Sequence, residues 1–238
     1  MQLRDEEKVS VLGARELAKE RALFAGYGFP VLSAIIAKCL YNPNLMICFE
    51  SGAIDSNPRH LPHSVSDIIN YRSSQFPLDL PDAFAMLEKG DVEAVGLSGA
   101  QVDRYGNVNA TLIFRGKNIK RLPGGGGSCD FASLGRTEYI FMLHEPRRLV
   151  KKVDYITSPG LQAHPRKAIK LITNYGVFAI RREGVLALAL ESDADPETVK
   201  KQAGLDIEIK RDVKRLGKFT EKEANLLRRL NLCSISHK

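Results

Sequence analysis

Between residues 9 and 99 the apolar side chains switch back and forth between a helical and an extended period, and few folds accommodate that alternation. Val9 to Arg21 carries apolar residues at helical intervals. Leu23 to Ala25 is a short apolar run leading into the turn sequence Gly26-Tyr-Gly-Phe-Pro30, and Pro30 to Cys39 reads as a second helix with proline in its first turn. Leu45 to Phe49 reads as a short buried strand. Pro81 to Lys89 is an amphipathic helix closed by Gly90, and a further strand runs through Val92-Glu-Ala-Val-Gly-Leu-Ser-Gly99. Strands separated by helices pair in parallel, so the pattern specifies an α/β fold: an open mixed, mostly parallel sheet flanked by helices.

The later chain is richer in strands and turns. Gln101 to Phe114 reads as a strand, a turn around Tyr105-Gly-Asn107 and a returning strand, while Glu138 to His144 and Val153 to Ser158 are two more short candidates. Lys170 to Ile180 and Gly184 to Leu190 suggest a strand pair. Asp193 or Asp195 ahead of Pro196 starts a helix, and Phe219 to Leu230 is a last helix with Thr220 as N-cap and Glu223 completing a capping box. Without a repeat or low-complexity linker to divide it, residues 1–238 read as one domain.

Two stretches could carry chemistry. Glu50 follows the apolar run that ends at Phe49 and precedes Ser51-Gly52, so a carboxylate stands where a strand of an open α/β sheet ends and ligands collect. It is either a strand-end acid facing water or a reagent that Gly52 leaves accessible by turning the chain away. A carboxylate with no histidine or second acid nearby in sequence suits nucleophilic attack better than proton shuttling. The second stretch is Leu122-Pro-Gly-Gly-Gly-Gly-Ser-Cys-Asp130. Four successive glycines are costly to order, so Gly124, Gly125, Gly126 and Gly127 form either a flexible linker or a loop whose bare N–H groups cradle an anion or a developing oxyanion. The pattern is neither a Walker A loop nor a dinucleotide fingerprint. Asp130 is a cap for this loop or a turn residue.

Other features read more plainly. Cys39, Cys48, Cys129 and Cys233 are widely spaced, which fits neither a disulfide framework nor a zinc site, and Cys129 reads as small buried filler. His60 and His63 have metal-like spacing but no third ligand, so no metal is expected. Gly106 reads as the positive-φ residue of a hairpin turn. A net charge of +7 is concentrated late in the chain, among interspersed acids and without an aromatic stacking row, which argues against nucleic acid and suits a solvated face or a small polyphosphorylated ligand. No apolar run spans a bilayer and the N-terminal sequence lacks a secretory signal, so a cytoplasmic protein without membrane contact is expected.

Phe49-Glu-Ser-Gly-Ala-Ile54, Ser98-Gly-Ala-Gln-Val-Asp-Arg-Tyr-Gly-Asn-Val-Asn109, Gly124-Gly-Gly-Gly-Ser-Cys-Asp-Phe-Ala-Ser133 and Val150-Lys-Lys-Val-Asp-Tyr-Ile-Thr-Ser-Pro-Gly160, in that order, resemble the family I CoA-transferases, with the β chains of glutaconate and 3-oxoacid CoA-transferases nearest. The likeness runs from about Leu23 to beyond Gly176. It implies the NagB-RpiA-like α/β architecture. It also implies that Glu50 is the nucleophile of a ping-pong transfer of CoA between an acyl-CoA and a carboxylic acid, through a glutamyl anhydride and a glutamyl-CoA thioester.

By the same resemblance, the loop of Gly124, Gly126, Gly127 and Asp130 lies by the active site, and the turn containing Gln101, Val102, Asp103, Gly106 and Asn107 is structural or lines the site. Coenzyme A is a substrate and no tightly bound cofactor is implied. An α subunit completes the site, in a heterotetramer or larger assembly. A CoA-thioester hydrolase or ring-opening lyase on the same fold is the alternative, which the presence of Glu50 disfavours.

Overall fold

The computed structural model describes residues 3–230. Its elements run in chain order α1 (Asp5–Leu17), β1 (Ala22–Ala25), α2 (Phe29–Leu40), β2 (Met46–Cys48), β3 (Ala53–Ile54), α3 (Ile68–Arg72), β4 (Phe76–Pro77), α4 (Leu80–Lys89), β5 (Ala94–Ser98), β6 (Gln101–Val102), β7 (Val108–Asn109), β8 (Leu112–Arg115), β9 (Asn118–Arg121), α5 (Ser128–Leu134), β10 (Thr137–Phe141), β11 (Ala168–Thr173), β12 (Gly176–Arg181), β13 (Gly184–Leu190), α6 (Pro196–Lys201), β14 (Ile207–Glu208), β15 (Lys214–Arg215) and α7 (Glu221–Arg229).

A nine-stranded sheet organises these elements, in the order β14, β13, β12, β11, β10, β5, β1, β2, with β15 beside β13. The strands from β2 through β11 pair in parallel, β12 is antiparallel to both its neighbours, and β14 and β15 run parallel to β13. This is the mixed, mostly parallel sheet that the alternating pattern calls for. Side chains of β1 alternate as a pleat requires: Leu23 and Ala25 join the core under α1 and α2, and Ala22 and Phe24 join the core with α4 and α5. Beyond β10, a further core gathers Leu171, Phe178, Val185 and Leu190.

Local signals set most element ends. Asp79 caps α4 by accepting from Asp82 N–H at 3.0 Å, and Gly90 closes it at φ +81°. Of the two aspartates ahead of Pro196, Asp195 is the cap, accepting from Thr198 N–H. Thr220 and Glu223 form the reciprocal box on α7. Arg15 of α1 then reaches Glu223 and the carbonyls of Gly217 and Lys218, tying the last helix to the first.

Three expectations need correction. The first helix spans Asp5–Leu17 and is over before Arg21, which immediately precedes β1. Residues 153–158 form no strand: Asp154 is drawn to Gln101 and to the amide of Phe114, and pairing is reduced to a bridge between Ser158 and Val108. The returning strand after Gly106 ends at Asn109, and Leu112–Arg115 instead pairs with Asn118–Arg121 as a second hairpin turning at Gly116, φ +60°.

Beneath the amino-terminal ends of β10 and β11, Glu138 is fully buried and pairs with Lys167, whose side chain is 2% exposed and whose ammonium also donates to Ala132 O of α5. Burial pushes the Glu138 carboxyl up to about 7 despite that lysine. A carboxyl raised from 4.5 binds its proton more readily in the fold than unfolded, so this group's contribution to stability falls as pH rises from 4.5 to about 7. Replacing Lys167 with Met strands the charge, and the expected loss is about 3–5 kcal/mol near pH 8. Urea denaturation should show a distinctly smaller loss near pH 5; equal losses at both pH values would contradict the assignment.

Candidate functional site

Glu50 sits just past the carboxyl end of β2, at the first corner of a tight turn. Gly52 N–H donates to Phe49 O at 2.9 Å, and Phe49 N–H donates to Ala53 O at 3.0 Å. Gly52 has φ +99°, and a Cβ there would lie 2.0 Å from Leu78 O, so both the backbone angle and the space demand glycine. The turn is also held from outside. Leu78 N–H donates to Gly52 O at 2.8 Å, Ser51 Oγ donates to Val65 O at 2.9 Å, and the Tyr71 hydroxyl donates to Ser51 O. Residues 56–78 thus wrap around the corner that displays the carboxylate.

The glycine loop arrives from the excursion between β5 and β10. Phe131 of α5 packs against Phe24 and Phe84, with ring centroids 5.4 Å and 5.6 Å away, and this seats the start of α5 against Glu50. Gly127 N–H donates to Glu50 Oε2 at 2.9 Å. A Cβ on Gly127 would stand 2.2 Å from that oxygen and 2.7 Å from Phe84 Cζ, and one on Gly126 would stand 3.2 Å from Glu50 Oε1. Absent side chains therefore make the approach possible. Gly124 N–H donates to Ala110 O, and a Cβ on Gly125 would collide with Ser128 Oγ and Thr157 Cγ2, so the loop is pinned at its base.

Glu50 is half-buried and, among the described residues, has no ion-pair partner. Its carboxyl is raised above the usual 4.5, first by burial; the Gly127 N–H bond opposes the rise and the like charge of Asp130 adds to it. Asp130 lies exposed in the first turn of α5 and accepts none of the loop amides among the described residues, so it acts here as a nearby negative charge.

Of the residues singled out in the sequence, Glu50, Gly52, Gly126, Gly127 and Asp130 are brought together, with Gly124 and Gly125 at the base of the loop. Gln101 and Asn107 are buried elsewhere and fully engaged. Gln101 Oε1 accepts from Asn109 Nδ2 and Asp154 N–H, and Asn107 bonds Asp103 and accepts from Gly160 N–H. Gln101 reaches the loop only through neighbours: it bonds Asn109, whose Oδ1 accepts from the amides of Thr111 and Leu112, and Thr111 O in turn accepts from Leu122 N–H, where the glycine loop begins. Gly106 has the expected positive φ of +79°. Cys129 is exposed beside the loop, not buried filler, while Cys48 is the buried thiol and Cys233 lies outside the described residues. Sequence reading missed Phe84 and Phe131, which carry no signal beyond ordinary helix faces. Among the described residues, no three His, Cys, Asp or Glu side chains gather to hold a metal, and no helix is long and apolar enough to cross a membrane.

Comparison with known proteins finds relatives of the chain and of its fold. The family model described as Coenzyme A transferase matches residues 7–192. The β subunit of glutaconate CoA-transferase from Acidaminococcus fermentans is 30% identical over 233 residues, covering 88% of this chain and 85% of that one. The crystal structure of glutaconate CoA-transferase from the same organism superposes with a TM-score of 0.82 at 24% identity, over 95% of this chain and 94% of its own. The β subunit of 3-oxoadipate CoA-transferase from Pseudomonas knackmussii is 33% identical over 156 residues, 65% of this chain and 60% of that one. The decarboxylase AibA/AibB shares the fold, with a TM-score of 0.80 at 22% identity over 96% of this chain and 95% of its own.

The causes of the Glu50 shift make a test. Asp130→Asn should lower the Glu50 midpoint, and Gly127→Ala, which displaces the carboxylate from its amide, should raise it, both read by carboxyl 13C NMR titration. Two variants shifting Glu50 the same way would contradict this electrostatic picture.

Proposed function

The chain belongs to the coenzyme A transferase family, as a β-type subunit, and on that premise we propose that it moves CoA from an acyl-CoA to a carboxylic acid with Glu50 as the covalent nucleophile. The observation that carries this reading is the half-buried carboxylate, free of any counter-ion among the described residues and held at 2.9 Å by one backbone amide. A carboxylate clamped by arginine or lysine is a poor nucleophile, whereas one held only by a peptide N–H and partly stripped of water keeps its lone pairs available.

A Glu50 oxygen attacks the thioester carbonyl; the C–S bond breaks, CoA leaves as thiolate, and an acyl-glutamyl anhydride remains. The thiolate attacks the glutamyl carbonyl and breaks its bond to the acyl oxygen, which releases the first acid and leaves CoA on Glu50 as a thioester. An incoming carboxylate reverses the two steps and departs as the new acyl-CoA. Each tetrahedral stage develops a negative oxygen, and the bare peptide of Gly125 to Gly127 is the source of donors for it, Gly124 N–H being committed to Ala110 O. In the resting arrangement Gly127 N–H is already engaged by Glu50 itself, so this amide first orients the nucleophile.

Leu122, which precedes the glycine loop, and Gln101 line a cleft of about 630 Å3 with Arg115, Lys120, Arg147, Arg148 and the single acid Asp154, a surface whose net positive charge suits the phosphates of CoA. Phe76 and Leu80 stand exposed on either side of Leu78, which closes on the Glu50 turn, and offer an apolar surface for an α subunit in a heterotetramer or larger assembly.

With its partner chain and an acyl-CoA, the enzyme should accumulate a CoA thioester at Glu50, visible as a mass adduct or as loss of the glutamate on borohydride reduction. Glu50→Gln should lower the rate by several orders of magnitude while the fold persists. The acid limb of the rate profile should lie above 4.5, because the nucleophile must be ionised and burial raises its carboxyl. Release of free CoA without an acceptor acid, surviving in Glu50→Gln, would favour a hydrolase or ring-opening lyase instead.

A further inference from the structure

At the amino-terminal ends of β10 and β11, at the opposite end of α5 from Glu50, lies a second cleft of about 630 Å3 lined by Ser133, Leu134 and Gly135 together with Arg136, His164, Arg166, Lys167 and Arg182. Every ionisable side chain on its wall is basic. They come from three separate stretches: the entry to β10, the loop before β11 and the turn between β12 and β13. Two of these cations are already answered, Arg136 by Glu93 and Lys167 by the buried Glu138. Among the described residues, the side chains of Arg166, Arg182 and His164 have no hydrogen-bond or ion-pair partner, and both arginines are solvent-exposed. Chain segments far apart in sequence thus converge their positive charge on one concavity without a carboxylate on its wall, and their summed potential favours an anion there.

We propose that this cleft is a binding site for a small molecule bearing two or more phosphate groups, separate from the acyl-transfer centre. Arginine forks from separate chain segments on one cleft suit phosphate oxygens better than a single carboxylate, and the volume fits a diphosphate or a nucleotide-sized ligand but not an extended chain. The seven residues of α5 set this cleft apart from the Glu50 carboxylate by about 10 Å of helix. Gly127 at one end of α5 holds Glu50, while at the other end Lys167 donates to Ala132 O and Ser133 and Leu134 line the cleft, so occupancy has a physical route to the nucleophile.

The test is calorimetric titration of the full chain with inorganic pyrophosphate, which needs neither an acyl group nor the partner subunit and stands or falls independently of Glu50 chemistry. One pyrophosphate per chain is expected, with affinity falling as salt rises. Arg166→Gln/Arg182→Gln, both exposed and therefore safe for folding, should bind at least tenfold more weakly. The control Lys210→Gln/Arg211→Gln removes the same charge from another exposed stretch and should bind like the parent. Absence of binding, or equal weakening in both double variants, would reduce the cleft to general surface charge. Coenzyme A supplies the other arm: if it competes with pyrophosphate in the parent and Arg166→Gln/Arg182→Gln abolishes its binding, the cleft belongs to the substrate and the proposal of a separate site is overturned.

Discussion

A carboxylate removed from half of its water and given no cation in return is unstable as a charge, and the fold around residue 50 is built to tolerate that instability. One peptide N–H at 2.9 Å is the compensation it receives. A backbone dipole orients the group without neutralising it, so the carboxyl remains raised and no cation covers its oxygens among the described residues. The contact also demands that the donor peptide come closer than any side chain would permit. Gly127 and Gly126 are therefore fixed by Glu50 as much as Glu50 is fixed by them.

Because the two halves of the contact come from different excursions of the chain, each needs its own scaffold. The turn at 49–52 is bound to residues 65, 71 and 78 through backbone and hydroxyl groups. The loop at 124–127 hangs between Phe131, packed into the core beside Phe24, and a polar ladder that runs from Gln101 through Asn109 to the amides of Thr111 and Leu112. That ladder is buried and mutually satisfied, the condition under which a polar network rigidifies what it touches. The Gln-Val-Asp turn thereby reaches the glycine loop at one remove, through the bonds that Gln101 makes to Asn109 and Asn109 makes to the amides of Thr111 and Leu112.

What could be read from sequence follows from this division. The Thr220 cap with its Glu223 box, the helix-closing Gly90, the positive-φ Gly106 and the alternation that produces the parallel sheet are local or periodic, and local physics was enough to find them; the Asp79 cap went unread, and the structure had to choose Asp195 over Asp193. Glu50 and the four glycines could be singled out because a charge after a buried strand and an entropically costly loop are conspicuous in one dimension. The hairpin at 112–121 escaped because its strands are short and exposed. Residues 153–158 alternate like a strand, yet side-chain bonds from Gln101 claim Asp154 in place of a ladder. Arg136, Arg166 and Arg182 meet only through the sheet, so no spacing rule could have joined them.

The sheet carries a second perturbed carboxyl, and the contrast clarifies the first. Glu138 and Glu50 are both raised chiefly by desolvation. Glu138 is sealed at 0% exposure with Lys167 beside it, so no reactant can reach it and its proton affinity is a matter of stability alone. Glu50 is left half open, is denied a cation among the described residues, and is placed beside peptide whose side chains are missing. The glycines at 52 and 127 answer different neighbours: the one at 52 is demanded by its turn and by Leu78 O, whereas a Cβ at 127 would stand 2.2 Å from Glu50 Oε2, so only a peptide without a side chain can come this close to the carboxylate.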